Sequence, residues 1–428
     1  MEGESLRDRL KREKRLPVGE VVQTPSAASM STVLERRFLG LAWPLLACGA
    51  CGSEASGPGV TVTDSAGVTI VTSRDSSHRY ATIADSPVAR LSEEGVPDRE
   101  FFRVTGAFAY RDGATVIANA GTGELRIFSP DGALVLSVGG EGEGPGEFGF
   151  LGGLFPFAAD SLAATDSRLL RVSVFNRHGT FGRDVPFMPA GNLAAPDGVC
   201  MPPALQAVLE RGGQVYFGWT CIRRDGHGGF LPYEADLLLW DPTTARITVM
   251  DRVPVLEAYA PPGPDGRNFD VEFPPFMKVT AVTARGSNVY VATGFEYEVR
   301  RYDGAARVIA LFRLARAARP TSPELRSAYT LTLPEGSDPR SIHFPRTLPT
   351  FDRLMIDDGH RVWAREYVAP GVTEEHWAVF EANGEFAGWV DAPARVSLRA
   401  VAGSRVIGIA KDEFEVERPV ILQMAREG

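Results

Sequence analysis

Asp112-Gly113-Ala114-Thr115-Val116-Ile117-Ala118 is a turn dipeptide running straight into a short apolar strand, and the same arrangement recurs along the chain. Asp160-Ser161 precedes Leu162–Ala164, Gly212-Gly213 precedes Val215–Trp219, and Gly286-Ser287 precedes Val289–Ala292. Asp358-Gly359 precedes Val362–Ala364, and Gly403-Ser404 precedes Val406–Ile409. The second turn residues (113, 161, 213, 287, 359 and 404) lie 48, 52, 74, 72 and 45 apart. Blades of a β-propeller repeat at roughly 40–50 residues, so three steps fit directly and two carry insertions of about 25. Adjacent apolar pairs such as Val116-Ile117 and Val406-Ile407 replace strict alternation. That pattern suits strands covered on both faces, as in sheets stacked against sheets.

A second element follows each of the first five copies: an apolar strand, an aromatic residue and a tight polar turn. The examples are Phe128-Ser129-Pro130-Asp131-Gly132, Phe175-Asn176-Arg177-His178-Gly179, Trp240-Asp241-Pro242, Tyr302-Asp303-Gly304 and Phe380-Glu381-Ala382-Asn383-Gly384. They read as hairpins between the third and fourth strands of each blade. The sixth copy ends at Val420-Ile421-Leu422 without one, while a spare strand, Gly67–Ser73, stands at the other end. The expectation is an all-β, six-bladed β-propeller of four-stranded antiparallel blades. Its ring is closed by that N-terminal strand pairing with the C-terminal one, which leaves no blade with an open edge.

Gly139-Gly140-Glu141-Gly142-Glu143-Gly144-Pro145-Gly146-Glu147-Phe148 resembles the G-x-G-x-GPGEF connector of NHL-type and TolB-like six-bladed β-propellers. The opening Asp64–Val68 and closing Val406–Met424 stretches look like those of exported bacterial propellers. The resemblance spans about residues 60–426 and implies architecture more than activity. The glycine-rich stretch lacks the Lys-Ser/Thr ending of a phosphate loop, and its three glutamates would repel phosphate. It reads as a blade-to-blade crossover that needs positive φ.

The chain has 428 residues, 44% hydrophobic and 23% charged, within the globular range. Asp and Glu outnumber Lys and Arg, 54 to 45, for a net charge of −9. That balance argues against a nucleic-acid-binding surface. Arg36-Arg37 precede the apolar run Phe38–Ala47, which ends in Leu45-Leu46-Ala47-Cys48. Ten residues span about 15 Å, too short to cross a bilayer core of about 30 Å. The run reads as a secretory signal, and Leu-Leu-Ala-Cys resembles a bacterial lipobox that would make Cys48 the lipidated N-terminus. A signal starting at Met30 has ordinary proportions. Residues 1–29 then read as a gene-model extension, 30–47 as signal peptide, 48–59 as tether and 60–428 as the propeller domain. Cleavage before Cys48 removes eight basic and six acidic residues, bringing the net charge to −11. The expected location is the cell envelope, on the periplasmic or surface face of a membrane, with the lipid as the membrane contact.

No catalytic constellation emerges. His78, His178, His227, His343, His360 and His376 show no H-x-x-x-H or H-E-x-x-H spacing, and no G-x-S-x-G elbow is present. No metal site and no cofactor are expected. Tyr110, Arg103 and Arg365 are the residues that could point into a central channel. Two function classes stay open. One is a monomeric scaffold binding a protein, glycan or small molecule. The other is a propeller enzyme of lactonase, metal-dependent lyase or quinone-dependent sugar dehydrogenase type. The long insertions Arg74–Glu100, Thr220–Tyr233, Pro254–Phe276 and Ala315–Pro349 all fall in second-to-third or fourth-to-first connections. Those connections share one face, which is the expected binding surface. Cys200 and Cys221 flank a hairpin centred near Gly212, with 204–210 and 214–221 as its strands. Within an oxidising compartment they are expected to form a disulfide.

Overall fold

The computed structural model describes residues 59–427, except 94, 97–98, 159, 197–199, 223–228, 262–270 and 335–336. The signal segment, Cys48 and His227 therefore lie outside the described residues. The described chain is nearly all strand. It begins with β1 (Val60–Ser65), β2 (Val68–Arg74), β3 (Ala81–Ile83) and β4 (Ala89–Arg90). Sheet 1 follows as β5 (Val104–Ala109), β6 (Thr115–Asn119), β7 (Glu124–Phe128) and β8 (Leu134–Gly139). Sheet 2 contains β9 (Leu151–Phe157), β10 (Ser161–Asp166), β11 (Arg171–Phe175) and β12 (Phe181–Pro186).

Sheet 3 is built from β13 (Cys200–Met201), β14 (Ala204–Val208), β15 (Gln214–Phe217), β16 (Thr220–Ile222), β17 (Gly229–Asp241) and β18 (Arg246–Ala260). Sheet 4 has β19 (Ala281–Arg285), β20 (Asn288–Ala292), β21 (Glu298–Tyr302) and β22 (Val308–Ala315). The helix α1 (Pro323–Thr330) follows, capped by Ser322 Oγ accepting from the Leu325 N–H. Sheet 5 comprises β23 (Phe351–Ile356), β24 (Val362–Glu366), β25 (His376–Phe380) and β26 (Phe386–Asp391). Sheet 6 closes the chain with β27 (Val396–Ala402), β28 (Arg405–Lys411) and β29 (Glu417–Arg426). Among the described residues no helix is long and apolar enough to cross a membrane.

All six turns between first and second strands fall where the repeated dipeptides stand, and the five aromatic-plus-turn elements join third to fourth strands. The N-terminal expectation is corrected. The strand at Gly67–Ser73 does not meet the C-terminal strand: β2 runs parallel to β22, Thr69 opposite Ala310 to Arg74 opposite Ala315, and widens sheet 4 to six strands with β1. The partner of β29 is a later, broken strand. Ala81–Ile83 pairs with Met424–Arg426, and Ala89-Arg90 pairs with Val420-Ile421.

Apolar cores fill the spaces between successive sheets. Leu125 and Phe148 meet Leu162 and Phe175 between sheets 1 and 2, and Val174 meets Val208 between sheets 2 and 3. Leu237 meets Val289 between sheets 3 and 4, and Phe312 meets Phe380 between sheets 4 and 5. Trp377 meets Leu398 between sheets 5 and 6, and Ile407 meets Ile117 between sheets 6 and 1. Correspondingly the first strands adjoin in order: β5 with β9, β9 with β14, β14 with β19, β19 with β23, β23 with β27, and β27 with β5. These sheets, with the strand on strand order above, are consistent with a propeller.

The glycine-rich connector links β8 to β9. Gly139 and Gly140 take φ of 97° and 127°, and the Phe148 N–H returns to the Gly140 carbonyl at 2.9 Å. A Cβ on Gly139 would stand 2.8 Å from the Gly123 carbonyl oxygen, so glycine is required there. The crossover drops Phe148, fully buried, into the core between sheets 1 and 2.

Candidate functional site

The first strands of sheets 1, 2, 4, 5 and 6 surround a cavity of about 340 Å³. Small residues let these strands approach: a Cβ on Gly106 of β5 would lie 3.1 Å from Leu154 of β9. Three arginines line the cavity, Arg285 on β19, Arg353 on β23 and Arg399 on β27, and among the described residues no carboxylate does. Arg285 ends β19 at the tight-turn end, whereas Arg353 and Arg399 each lie three residues before the end of their strands. Arg353 sits toward the end reached by the fourth-to-first connection, and Arg399 at the middle of β27.

Bulges shape this wall. Phe351 and Arg353 oppose Glu366 and Arg365, leaving Asp352 as the extra residue of β23. Leu398 and Ala400 oppose Gly408 and Ile407, leaving Arg399 as the extra residue of β27. A bulge re-aims side chains that strict alternation would send elsewhere.

Around this point five charged groups form one network, three of them (Arg353, Arg399 and Glu375) meeting at the Ser397 hydroxyl. Arg365 Nε and Nη2 donate to the two Asp352 oxygens at 2.8 and 2.9 Å, and Nη1 donates to Glu375 Oε1 at 2.5 Å. Glu375 also accepts from Ser397 Oγ at 2.7 Å, the Leu398 N–H at 2.9 Å and Trp377 Nε1 at 3.1 Å. Burial works against the Glu375 carboxylate, but the Arg365 charge and the donors from Ser397 and Leu398 outweigh it and hold its pKa below the usual range. Ser397 Oγ in turn accepts from Arg353 Nη1 at 3.1 Å and Arg399 Nη1 at 2.9 Å. Burial, then the neighbouring Arg399 and Arg365 charges, push the Arg353 guanidinium down to about 9. Burial chiefly lowers Arg399 as well.

The residues singled out from sequence fare differently. Arg365 belongs to this cluster but is spent on Asp352 and Glu375. Tyr110 is buried between sheets 1 and 2, where burial raises its phenol to about 12. Arg103, at φ 57°, lies 5.0 Å over the Phe150 ring. None of the three lines the cavity. Sequence reasoning missed Arg353, Arg399, Ser397 and Glu375.

The long connections assemble at one end. β17 and β18 extend beyond sheet 3, with β16 paired to β17 and β13 paired to β16. Cys200 and Cys221 face each other in that register as a disulfide, Cα atoms 4.3 Å apart. Both cysteines belong to separate short strands rather than to the β14–β15 hairpin. A bulge between Leu205 and Ala207 shifts the β14–β15 register by one residue and brings 200 opposite 221. Glu257 on β18 holds Lys278 Nζ at 2.9 and 3.0 Å, both buried. Tyr259 exchanges two 2.9 Å backbone bonds with Glu272, and its ring stacks on His343 at 3.6 Å. Phe276 then packs on Tyr329 of α1 and on Phe344. The insertions after β18 and β22 are thereby joined into one structure, with Phe273 and Leu331 57% and 86% exposed. At the opposite end, Arg111–Asp358, Arg361–Glu381 and Arg405 to the Pro130 carbonyl tie short turns together.

The histidines sit apart: His376 stacks on Trp389 beside Asp391, His343 on Tyr259, and His178 and His360 lie in turns. Among the described residues no three His, Cys, Asp or Glu side chains gather as a metal-ligand set.

No protein-family model matches the chain, and no curated protein matches it. Solved structures do resemble it. A member of the DUF4221 family from Bacteroides vulgatus aligns over 81% of this chain and 99% of its own, at 12% identity and a TM-score of 0.46. Virginiamycin B lyase from Staphylococcus aureus aligns over 77% of this chain and 96% of its own, at 9% identity and 0.35. The calcium-binding protein regucalcin from Agrobacterium tumefaciens aligns over 80% of this chain and 95% of its own, at 9% and 0.34.

Proposed function

We propose that the chain is an exported, lipid-anchored six-bladed β-propeller that acts as a monomeric binding scaffold, its long-connection face taking a protein, glycan or small-molecule ligand. The closed ring is supported by the unbroken succession of first-strand neighbours and of six inter-sheet cores. The closing strand in this reading is the broken pair β3 and β4. The glycine-rich connector supports an NHL-type or TolB-like relationship. The basic-apolar-Cys48 signal supports export and anchoring, and the Cys200–Cys221 disulfide suits an oxidising compartment. The domain then runs from about residue 60 to 428, behind a tether from Cys48.

The observation that carries the binding role is the joined insertions: buried Lys278–Glu257, stacked Tyr259–His343 and exposed Phe273 and Leu331 all lie on one end. Long loops held on a rigid scaffold are where recognition is usually placed. The test is site-specific photocrosslinking in intact bacterial envelopes. A benzophenone amino acid at Phe273 or Leu331 should give a discrete adduct, and one at Asn383 should give none. Adducts from Asn383 alone would move the binding surface to the other face. A second test labels the protein with a palmitate analogue, which Cys48→Ala should abolish.

A further inference from the structure

We propose that the cavity between the first strands binds a small oxyanion, held between the guanidinium groups of Arg353 and Arg399. The anion is a carboxylate, phosphate or sulfate group, free or as the charged end of a larger molecule. This goes beyond the binding-scaffold reading, since the site lies inside the ring of strands rather than on the connections.

The argument is one of unspent donors and uncompensated charge. Glu375 already accepts four hydrogen bonds, two at each oxygen, and Asp352 gives both oxygens to Arg365. Ser397 donates to Glu375 and accepts from both remaining arginines, so its hydroxyl is saturated. Arg353 comes only within 3.9 Å of Glu375 Oε1, and Arg399 forms no ion pair among the described residues. Each guanidinium carries five N–H donors, and among the described residues each makes a single protein hydrogen bond, to Ser397. Two positive groups thus converge on one neutral hydroxyl. The five charges of the hydrogen-bonded network (Arg353, Arg365, Arg399, Asp352 and Glu375) sum to +1; Glu417, the one further carboxylate whose charge acts on Arg399, accepts from the Val104 N–H.

This arrangement runs against the composition of a chain whose net charge is −9. Like charges brought together in a partly desolvated wall are costly unless a counter-charge completes them. The planar guanidinium fork matches an oxyanion, and two forks can clamp one. Burial first, and then the Arg399 and Arg365 charges, disfavour the Arg353 charge more than Glu375 and Asp352 favour it, and a bound anion would offset both. The cavity of about 340 Å³ leaves room for such a group, and Arg285 at the far end adds a third positive charge along the approach.

The experiment is arginine modification by phenylglyoxal, followed by peptide mapping, on the full chain exported by a bacterial host. Inorganic phosphate, sulfate and succinate are compared with sodium chloride at equal ionic strength. At about ten dissociation constants, modification of Arg353 and Arg399 should slow roughly tenfold, because only the unliganded fraction reacts. Exposed Arg340 and Arg111 should be unaffected. Protection by phosphate or sulfate assigns the site to a free inorganic anion. Protection by succinate alone assigns it to the charged end of an organic ligand. No protection by any of the three, or equal protection by chloride, overturns the proposal. Thermal unfolding gives the second check: the anion-dependent rise in Tm should vanish in Arg399→Gln and persist in Arg285→Gln. The reverse result places the anion elsewhere and also overturns it.

Discussion

Asp166, the last residue of β10, has no exposed surface, and four backbone N–H groups point at its carboxylate. Oδ2 accepts from Gly149 at 2.7 Å, and Oδ1 accepts from Phe150, Arg168 and Leu169 at 3.1, 2.9 and 2.9 Å. These donors come from the end of the glycine-rich crossover and from the β10–β11 turn. One side chain therefore fixes where β9 begins. Hydrogen bonds to a charged group are worth about 1.5–3 kcal/mol each. The carboxylate's own desolvation, several kcal/mol, is regained on its removal, and water entering the vacated space recovers part of the rest. Asp166→Ala should then cost about 4 kcal/mol, within the range for breaking a buried polar network.

Asp166→Asn makes the sharper test. Its amide oxygen can replace Oδ1 and keep three donors, but its NH₂ must face the Gly149 N–H, donor against donor. The expected cost is about 2 kcal/mol, one lost charged hydrogen bond and a little more. Urea unfolding would be followed by tryptophan fluorescence and by circular dichroism, since only coincident transitions license a free energy. An alanine variant within about 1 kcal/mol of wild type, or an asparagine variant as damaging as alanine, would refute the view that the carboxylate organises this junction.

Three further outcomes follow from the same geometry. Reducing Cys200–Cys221, which closes a loop of sequence separation 21, should destabilise the protein by about 3 kcal/mol. Free thiol labelling at both positions in exported protein would show that the bond does not form there. Phe148→Ala should cost about 3–5 kcal/mol because the ring is buried between sheets 1 and 2, measured by the same urea titration. For pH, Glu375 is held below its ordinary value near 4.5 and Tyr110 is raised from 10.0 to about 12. Glu375 stabilises the fold above the unfolded carboxylate value, and that stability fades as pH falls through the lowered folded value. Tyr110 contributes fully below pH 10, and its share fades as pH rises toward about 12. Glu375→Gln should flatten the acid limb of a Tm–pH curve and Tyr110→Phe the alkaline limb, and unchanged limbs would contradict the assignments.

The turns were legible because their chemistry is local. Gly113, Gly132, Gly179 and Gly384 all take φ between 78° and 95°, which a side chain would strain, so glycine marks the corner wherever the fold needs it. The partner of β29 was not legible, for an equally physical reason. Val68-Thr69-Ile70-Val71 has the β-branched pattern of a strand, and it is one, but it spends that pattern in sheet 4, between β1 and β22. The segment that meets β29 is three residues and then two, separated by a break. Five residues in two pieces give no period to read. Strand propensity reports that a segment can pair; the partner is decided by where the chain has been carried.

The cavity site was hidden for a different reason. Arg353 and Arg399 are 46 positions apart in sequence, and Ser397 and Glu375 come from a strand and a connection that no local pattern associates. What unites them is the packing of first strands side by side, β23 beside β27, together with bulges at Asp352 and Arg399 that shift alternation by one residue. A signal was nevertheless present. The first strands read Phe351-Asp352-Arg353-Leu354-Met355-Ile356, Val396-Ser397-Leu398-Arg399-Ala400-Val401 and Ala281-Val282-Thr283-Ala284-Arg285: largely apolar runs that each carry one arginine, with Asp352 beside the first and Arg285 closing the last. A single charge in such a run is usually an edge residue or a bulge. First strands of successive sheets adjoin, β23 beside β27, so one arginine in each brings two charges together at Ser397. Superimposing repeats by their turns, rather than reading each strand alone, turns three isolated exceptions into a cavity wall that holds three arginines and, among the described residues, no carboxylate.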